Sequence, residues 1–249
     1  MKGHFFGKGP DPDKQRIRER VWRIMEEKGV SRFPGAFGRI PNFVGAEKAA
    51  LLASQLEVFK RAKVIKANPD SPQRKLREIA LRSGKTVYMA VPRLKEERCF
   101  VELLPERIGG SFAEASTIKG AFKYGRKVYP WEMKKVDLVI AGSVAVNLKG
   151  QRIGKGGGFS DLEFAIGRKF GLITENTPVL TTVHSIQVLE EDFPFYEHDI
   201  PVDLVVTEKD VFSLEHSLPR PSGILWELLS EKQIESIPLL KKLKRGEVP

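Results

Sequence analysis

The run VDLVIAGSVAV, residues 136–146, constrains the fold more than any other stretch of the chain. Outside Asp137, Gly142 and Ser143 it is made only of Val, Leu, Ile and Ala. Side chains of a strand point alternately to its two faces. A strand built from this run is therefore apolar on both faces and has to be covered on both. That is the environment of a central strand in a parallel sheet flanked by helices. Shorter Val- and Ile-bearing segments recur along the chain: KVIKA, KTVYMAVP, CFVELLP, PVLTTVH and VDLVVTEKDVF. Helical spacing fills several of the intervals between them, and strand–helix alternation predicts an α/β fold. The expectation is three layers, with a mostly parallel sheet between helices, in one domain over residues 1–249.

Helical segments are marked by spacing and by end signals. In PDPDKQRIRERVWRIMEEKG, Asp13 is the expected N-cap, Ile17, Val21, Ile24 and Met25 form the apolar stripe, and Gly29 is the stop. Trp22 falls among the core positions. A loop rich in Pro, Gly and Phe follows, VSRFPGAFGRIPNFVG. AEKAALLASQLEVFKRA then returns to helical spacing. SPQRKLREIALRSG is a helix with Pro72 near its first turn. DLEFAIGRKFG is another, GILWELLSEKQIESIPLLKKL is a helical C-terminus, and LLKKLKRGEVP is its frayed basic end. The N-terminal helices lie outside the alternation and are expected as additions beside the sheet.

Several function classes are excluded early. Apolar runs reach about six residues, far short of the roughly 20 needed to span a bilayer. MKGHFFGKGPDPDKQ has no apolar stretch long enough for a signal peptide, so a cytoplasmic location without a membrane partner is expected. A single cysteine, Cys99, rules out an internal disulfide and a cysteine-cluster zinc site. His4, His184, His198 and His216 lack zinc-ligand spacing. Ser160 and Ser185 have no recognisable His/Asp partners, which argues against a nucleophilic hydrolase. Forty-two Lys and Arg against 32 Asp and Glu leave a net charge of +10. This balance suits a polyanionic partner, a nucleotide or a nucleic acid, and equally a diffuse solvated surface.

The chemistry concentrates in GQRIGKGGGFSD, residues 150–161. Gly154, Gly156, Gly157 and Gly158 surround Lys155, after a buried strand and before a helix. Ligands of open α/β sheets bind at the carboxyl ends of strands. A loop without side chains lets backbone N–H groups approach phosphate oxygens, and the following helix N-terminus favours an anion. Lys155 would add a mobile cation and Arg152 a bidentate contact to phosphate. Asp161 suits Mg²⁺, which takes few carboxylates beside phosphate oxygens, or serves as a helix N-cap. Two common phosphate motifs are absent. Gly84-Lys85-Thr86 has Ile79 where GxxxxGK[ST] needs a glycine, and Phe159 stands where GxGxxG needs its third.

The same string resembles the signature of the 5-formyltetrahydrofolate cyclo-ligase family, G-x-R-L-G-R-G-x-G-Y-Y-D. Gly150, Arg152, Gly154, Gly156, Gly158 and Asp161 match in register, with Ile153 for Leu and Lys155 for Arg. In DKQRIR, Lys14 and Arg18 lie one turn apart and resemble the family's N-terminal cation pair, which reaches the ATP phosphates. SGKTVYMAVPRL is similar to its G-K-x-V-x-x-P strand, and EHDIPVDLVVTE to its C-terminal aspartate segment. The resemblance runs from about residue 11 to 240. It looks closest to the cyclo-ligase-like domain of methenyltetrahydrofolate synthetase domain-containing proteins.

The resemblance implies a fold like that of ribose-phosphate isomerases and CoA transferases, with ATP and Mg²⁺ as requirements. MgATP would phosphorylate the formyl oxygen of 5-formyltetrahydrofolate, N10 would attack, and phosphate would leave as 5,10-methenyltetrahydrofolate closes. Lys14, Arg18, Arg152, Lys155 and Gly154 to Gly158 would hold phosphates, and Asp161 and Asp199 the metal. Phe159, Ser160 and Asp70 would face the folate. Apart from the resemblance, Trp131 either lines the substrate cleft or anchors its own loop, and Phe33, Phe37 and Phe43 either cover a flat heterocycle or pack down their loop. The sequence departs from the family at two places. Phe159-Ser160 replaces a tyrosine pair, and the acidic residue of an E-x-x-T element is missing, with Asp70 as its stand-in. These departures keep two alternatives open: a non-catalytic nucleotide- or RNA-binding relative, and an ATP-using ligase for another small substrate. Oligomeric state is not legible.

Overall fold

A computed structural model describes residues 11–248; His4 and the segment read for a signal peptide up to Pro10 lie outside them. The central sheet has eight strands in the order β11-β10-β8-β5-β1-β2-β3-β4. These are β1 (Val64–Ala67), β2 (Thr86–Ala90), β3 (Phe100–Leu103), β4 (Arg126–Val128), β5 (Leu138–Ala141), β8 (Val179–Thr182), β10 (Leu204–Val206) and β11 (Val211–Ser213). From β10 to β2 all neighbours are parallel, while β11, β3 and β4 pair antiparallel at the two edges. A second, three-stranded sheet joins β6 (Ala145–Asn147), β7 (Arg152–Ile153) and β9 (Val188–Leu189). The mostly parallel, three-layer expectation holds.

Helices cover both faces. On one lie α1 (Pro12–Glu27), α2 (Ala46–Ser54), α3 (Glu57–Arg61) and α4 (Arg74–Arg82). Val21, Met25, Ala50, Phe59, Leu76 and Leu81 pack there against Ile65, Ala67, Val87, Met89, Leu138 and Ile140. Beyond α4 come α5 (Pro105–Ile108), α6 (Phe112–Ala115) and α7 (Ile118–Tyr124). On the other face lie α8 (Phe159–Lys169), α9 (Glu231–Ser236) and α10 (Pro238–Arg245). Leu162, Phe164, Ile166, Ile234 and Leu240 pack against Val64, Ala90, Val139, Ala141 and Val205. The alternation Leu138/Ile140 against Val139/Ala141 is the two-faced burial that the apolar run requires.

Several boundaries differ from the sequence expectation, each for a local reason. Asp11, not Asp13, caps α1: its Oδ1 accepts the Lys14 N–H at 2.9 Å, and Pro12 takes the first helical position. The segment 46–62 breaks at Gln55-Leu56 into two helices. The run from 136, readable as one strand or two, is two: it divides at Gly142-Ser143-Val144, and its second half pairs in the smaller sheet. The basic C-terminal helix is not frayed, because Leu239 and Leu240 are fully buried beneath its lysines and Gly246 closes it at φ 70°. The short elements α5 to α7, β4, β7 and β9 carry too few residues for a period to register. Among the described residues, no helix is long and apolar enough to cross a membrane.

Candidate active site

The strand order creates one crevice. From β1 the chain proceeds to β2 on one side; β5 returns to the other side of β1 and proceeds away from it to β8. Loops leaving β1 and β5 therefore diverge, and ligands of open α/β sheets bind where they do. A cleft of about 480 Å³ lies there. Asn68, Pro69 and Asp70 enter it after β1, Val91 to Arg93 after β2, and Gly142 after β5. The glycine loop and the first turn of α8 form the facing wall, and Gly38 and Ile40 border the cleft from the α1–α2 loop. Gly142 is needed for this shape. A Cβ on it would come within 2.7 Å of Asp70 Oδ2 and 3.1 Å of Ile40 Cγ2.

The loop hangs from the β6–β7 hairpin. Gly150, at φ +86°, turns that hairpin against His216, whose ring carbon would stand 2.5 Å from any Cβ there. Its place in the signature is thus explained by packing. Gly156 (φ +100°) and Gly158 (φ +62°) adopt left-handed conformations that favour glycine. Gly158 is the N-cap of α8, and Asp161 stands in the first turn rather than at the cap.

α1 brings Arg18 against this loop and Lys14 against Asp199. Lys14 and Arg18 are 6% and 4% exposed, buried although charged, so each needs partners. Lys14 Nζ donates to Asp199 Oδ2 at 2.5 Å and lies 4.7 Å over the Tyr196 ring. Arg18 Nε donates to the Gly154 carbonyl at 2.6 Å, and its guanidinium carbon would be 3.3 Å from a Cβ on Gly156. Arg152 is equally committed, with Nη2 to Asp161 Oδ1 at 2.6 Å and Nη1 to the Gly142 carbonyl at 2.9 Å. Arg152 thereby orients Asp161, whose Oδ1 also accepts the Ile200 N–H at 3.3 Å.

Burial shapes the electrostatics. It raises the Asp199 carboxyl above its ordinary range despite Lys14, and the neighbouring Asp161 charge adds to the rise. It pulls Arg18 and His198 below theirs. Asp70 is raised by burial too, opposed chiefly by Lys155. The Lys155 ammonium, on a half-exposed side chain, lies 3.9 Å from Asp70 Oδ1 across the cleft.

The expected residues divide into groups. Asp70, Arg152, Gly154, Lys155, Gly157, Gly158, Phe159, Ser160 and Asp161 line the cleft. Lys14, Arg18, Gly156 and Asp199 are outside its lining and pack against the loop and one another. Trp131 belongs elsewhere: it stacks on Tyr129 at 4.4 Å and tilts against Phe170, an anchor rather than a cleft wall. Phe33 and Phe37 are exposed and Phe43 is buried; of their loop, Gly38 and Ile40 reach the cleft. Ser160 Oγ donates to Asn68 Oδ1 at 3.1 Å. Ser185 donates to Glu208 rather than to a histidine.

The sequence reading missed the cleft floor. Lys66, 2% exposed, pairs with Glu163, and Asn68 Nδ2 donates to the same carboxylate oxygen at 3.3 Å. The available signal was the second lysine of KVIKA, inside the strand and on the α8 face, between Ile65 and Ala67. Among the described residues, no group of three or more His, Cys, Asp or Glu is placed to hold a metal. Both candidate carboxylates already face a cation. This donor set suits Mg²⁺ that arrives on phosphate oxygens, with Asp161 as a supporting carboxylate.

Comparison with known proteins agrees with this geometry. Residues 10–208 match the 5-formyltetrahydrofolate cyclo-ligase family. A methenyltetrahydrofolate synthase domain-containing protein of Danio rerio is 38% identical over 234 residues, covering 92% of this chain and 60% of its own. The Homo sapiens protein of the same description is 38% identical over 94% of this chain and 62% of its own. The chain thus spans about three fifths of these relatives' length. The fold is similar to that of Aquifex aeolicus 5,10-methenyltetrahydrofolate synthetase, with TM-score 0.51, 22% identity, and coverage of 82% of this chain and 94% of that one. With a signature loop folded over a buried cation pair at the switch point, and a match that covers most of its length, the chain belongs to the 5-formyltetrahydrofolate cyclo-ligase family.

Proposed function

We propose that the chain is a ligase that uses MgATP to convert 5-formyltetrahydrofolate to 5,10-methenyltetrahydrofolate. The observation that carries this reading is the Gly154–Gly158 loop at the switch-point cleft, backed by Lys14 and Arg18 and followed by Asp161. Such a loop recognises phosphate through backbone N–H groups. Lys155 supplies the mobile charge beside it, and Lys14 and Arg18 act as fixed positive charges behind the wall. Asp161, held by Arg152, would be the carboxylate that holds Mg²⁺ arriving on the phosphate. The folate occupies the rest of the cleft, with Phe159 against its ring and the formyl oxygen turned towards the terminal phosphate. Phosphorylation makes that oxygen a leaving group, and ring closure by N10 expels it as phosphate. The protein's share is positioning and charge neutralisation.

A different small substrate for the same ATP chemistry is the second reading, favoured by Ser160, whose hydroxyl is engaged by Asn68 where the family signature carries a tyrosine. Incubation of folded protein with MgATP and 5-formyltetrahydrofolate is expected to generate the methenyl absorbance in the near ultraviolet. MgATP-dependent thermal stabilisation without that chromophore would select the second reading.

A further inference from the structure

The floor of the cleft has a polarity that dictates what it takes. Glu163 is 5% exposed and lines the cleft. Its Oε2 accepts from both Lys66 and Asn68. Among the described residues, no hydrogen bond reaches its Oε1. Asn68 is spent at both ends, giving its amide N–H to Glu163 and accepting the Ser160 hydroxyl on Oδ1. Asp70 adds a second carboxylate close by, with its Oδ2 next to Gly142. The floor therefore offers acceptor oxygens on Glu163 and Asp70 to a ligand. A ligand N–H that meets a carboxylate oxygen there makes one of the stronger hydrogen bonds.

Two further features narrow the ligand. Lys66 neutralises Glu163, so the pair carries no net charge that would demand a cation. The adjoining walls, Val91, Pro92 and Phe159, are apolar and suit a flat ring. We propose that Glu163 is a specificity-determining residue that accepts N–H donors from the edge of a neutral, amino-substituted heterocycle, with Lys66 and Asn68 as its positioning residues. This deepens the folate reading and rests on it: the 2-amino-4-oxo edge of the folate ring is such a donor edge. The assignment also accounts for the missing tyrosine, since Ser160 is small enough to leave Asn68 in line and still hold it.

The test is a cycle in which both partners are altered. Binding of 5-formyltetrahydrofolate and of its 2-desamino counterpart is measured by titration calorimetry on the full chain and on Glu163→Gln. Native protein is expected to bind the amino compound about tenfold or more tightly, since a hydrogen bond to a charged group is among the stronger ones. Glu163→Gln is expected to lose that preference while MgATP affinity stays within about twofold. If Glu163→Gln does not fold, Glu163→Asp, which keeps the charge and withdraws the oxygen, takes its place, and the ligand half of the comparison needs no variant. Equal loss of affinity for both compounds in the variant means a structural role and overturns the assignment. If no folate binds, the folate reading fails, and guanosine against inosine, which differ by the same amino group, probes the floor instead. A preference for guanosine that disappears in Glu163→Gln supports the assignment without the folate. Absence of any amino-group preference in both ligand pairs overturns it.

Discussion

Arg77 shows how single residues set the cleft. It is 1% exposed, and among the described residues no carboxylate forms an ion pair with it. Its guanidinium instead collects the carbonyls of Asn68 at 2.6 Å, Pro69 at 3.1 Å, Asp70 at 2.9 Å and Ser116 at 3.0 Å. Burial lowers its pKa to about 10, still charged at neutral pH. Arg77 thereby pins the turn after β1 and aims Asp70 at the cleft. Burial raises the Asp70 carboxyl above its unfolded value, with Lys155 and Arg77 only partly offsetting it. The folded chain then holds that proton more tightly than the unfolded one. Stability from this group is present below the unfolded pKa, near pH 4, and is lost as pH climbs through the raised value. Asp70→Asn removes the loss. Urea unfolding is expected to show the variant more stable than the native chain at pH 8, with the two converging near pH 4. A variant less stable at pH 8 would mean that attraction to Lys155 outweighs burial.

At the scale of elements, the glycine loop and α1 form one unit, because Arg18 holds the Gly154 carbonyl and packs beneath Gly156. Gly156→Ala places a side chain at φ +100° and 3.3 Å from that guanidinium, and is expected to cost about 1–2 kcal/mol of stability and to weaken MgATP binding. Gly157→Ala is the contrast, since its φ is not left-handed and its nearest neighbour is the Phe159 ring at 3.1 Å. Melting curves with and without MgATP separate the two, and equal effects would show that loop conformation is not the controlling feature. The loop, the cation pair and Asp161 were legible because a contiguous signature and a helical spacing bring them together locally. The ion pairs Lys14–Asp199 and Lys66–Glu163 were not, since their partners are 185 and 97 residues apart and only the strand order joins them. Trp131 was ambiguous for the converse reason: an aromatic residue in a loop looks the same whether it faces a ligand or, as here, Tyr129 and Phe170.

The net charge of +10 belongs to the whole molecule and was the weakest guide to function. Its densest stretch, the end of α10, is answered locally: Lys241 meets Glu235 at 2.6 Å, Lys242 meets Glu97 at 2.8 Å, and Lys244 meets Glu231 at 2.7 Å. Such exposed pairs add little stability, but they flatten the field that a nucleic acid would feel. The buried cations, in contrast, are focused inward, Arg18 on the glycine loop and Lys14 on Asp199. The two modes of anion binding differ in their response to salt. A polyanion held by many scattered surface contacts releases counterions at each, and its affinity falls steeply as salt rises to about 0.2 M. A phosphate held by backbone N–H groups and buried charge is screened much less. Titrations with single-stranded RNA and with MgATP at about 0.05 and 0.2 M KCl compare them directly. RNA binding is expected to vanish across this range while the MgATP-induced rise in melting temperature persists. RNA binding that survives 0.2 M salt and competes with MgATP would place a nucleic acid in the cleft itself, and the ligase reading would give way to the binding one.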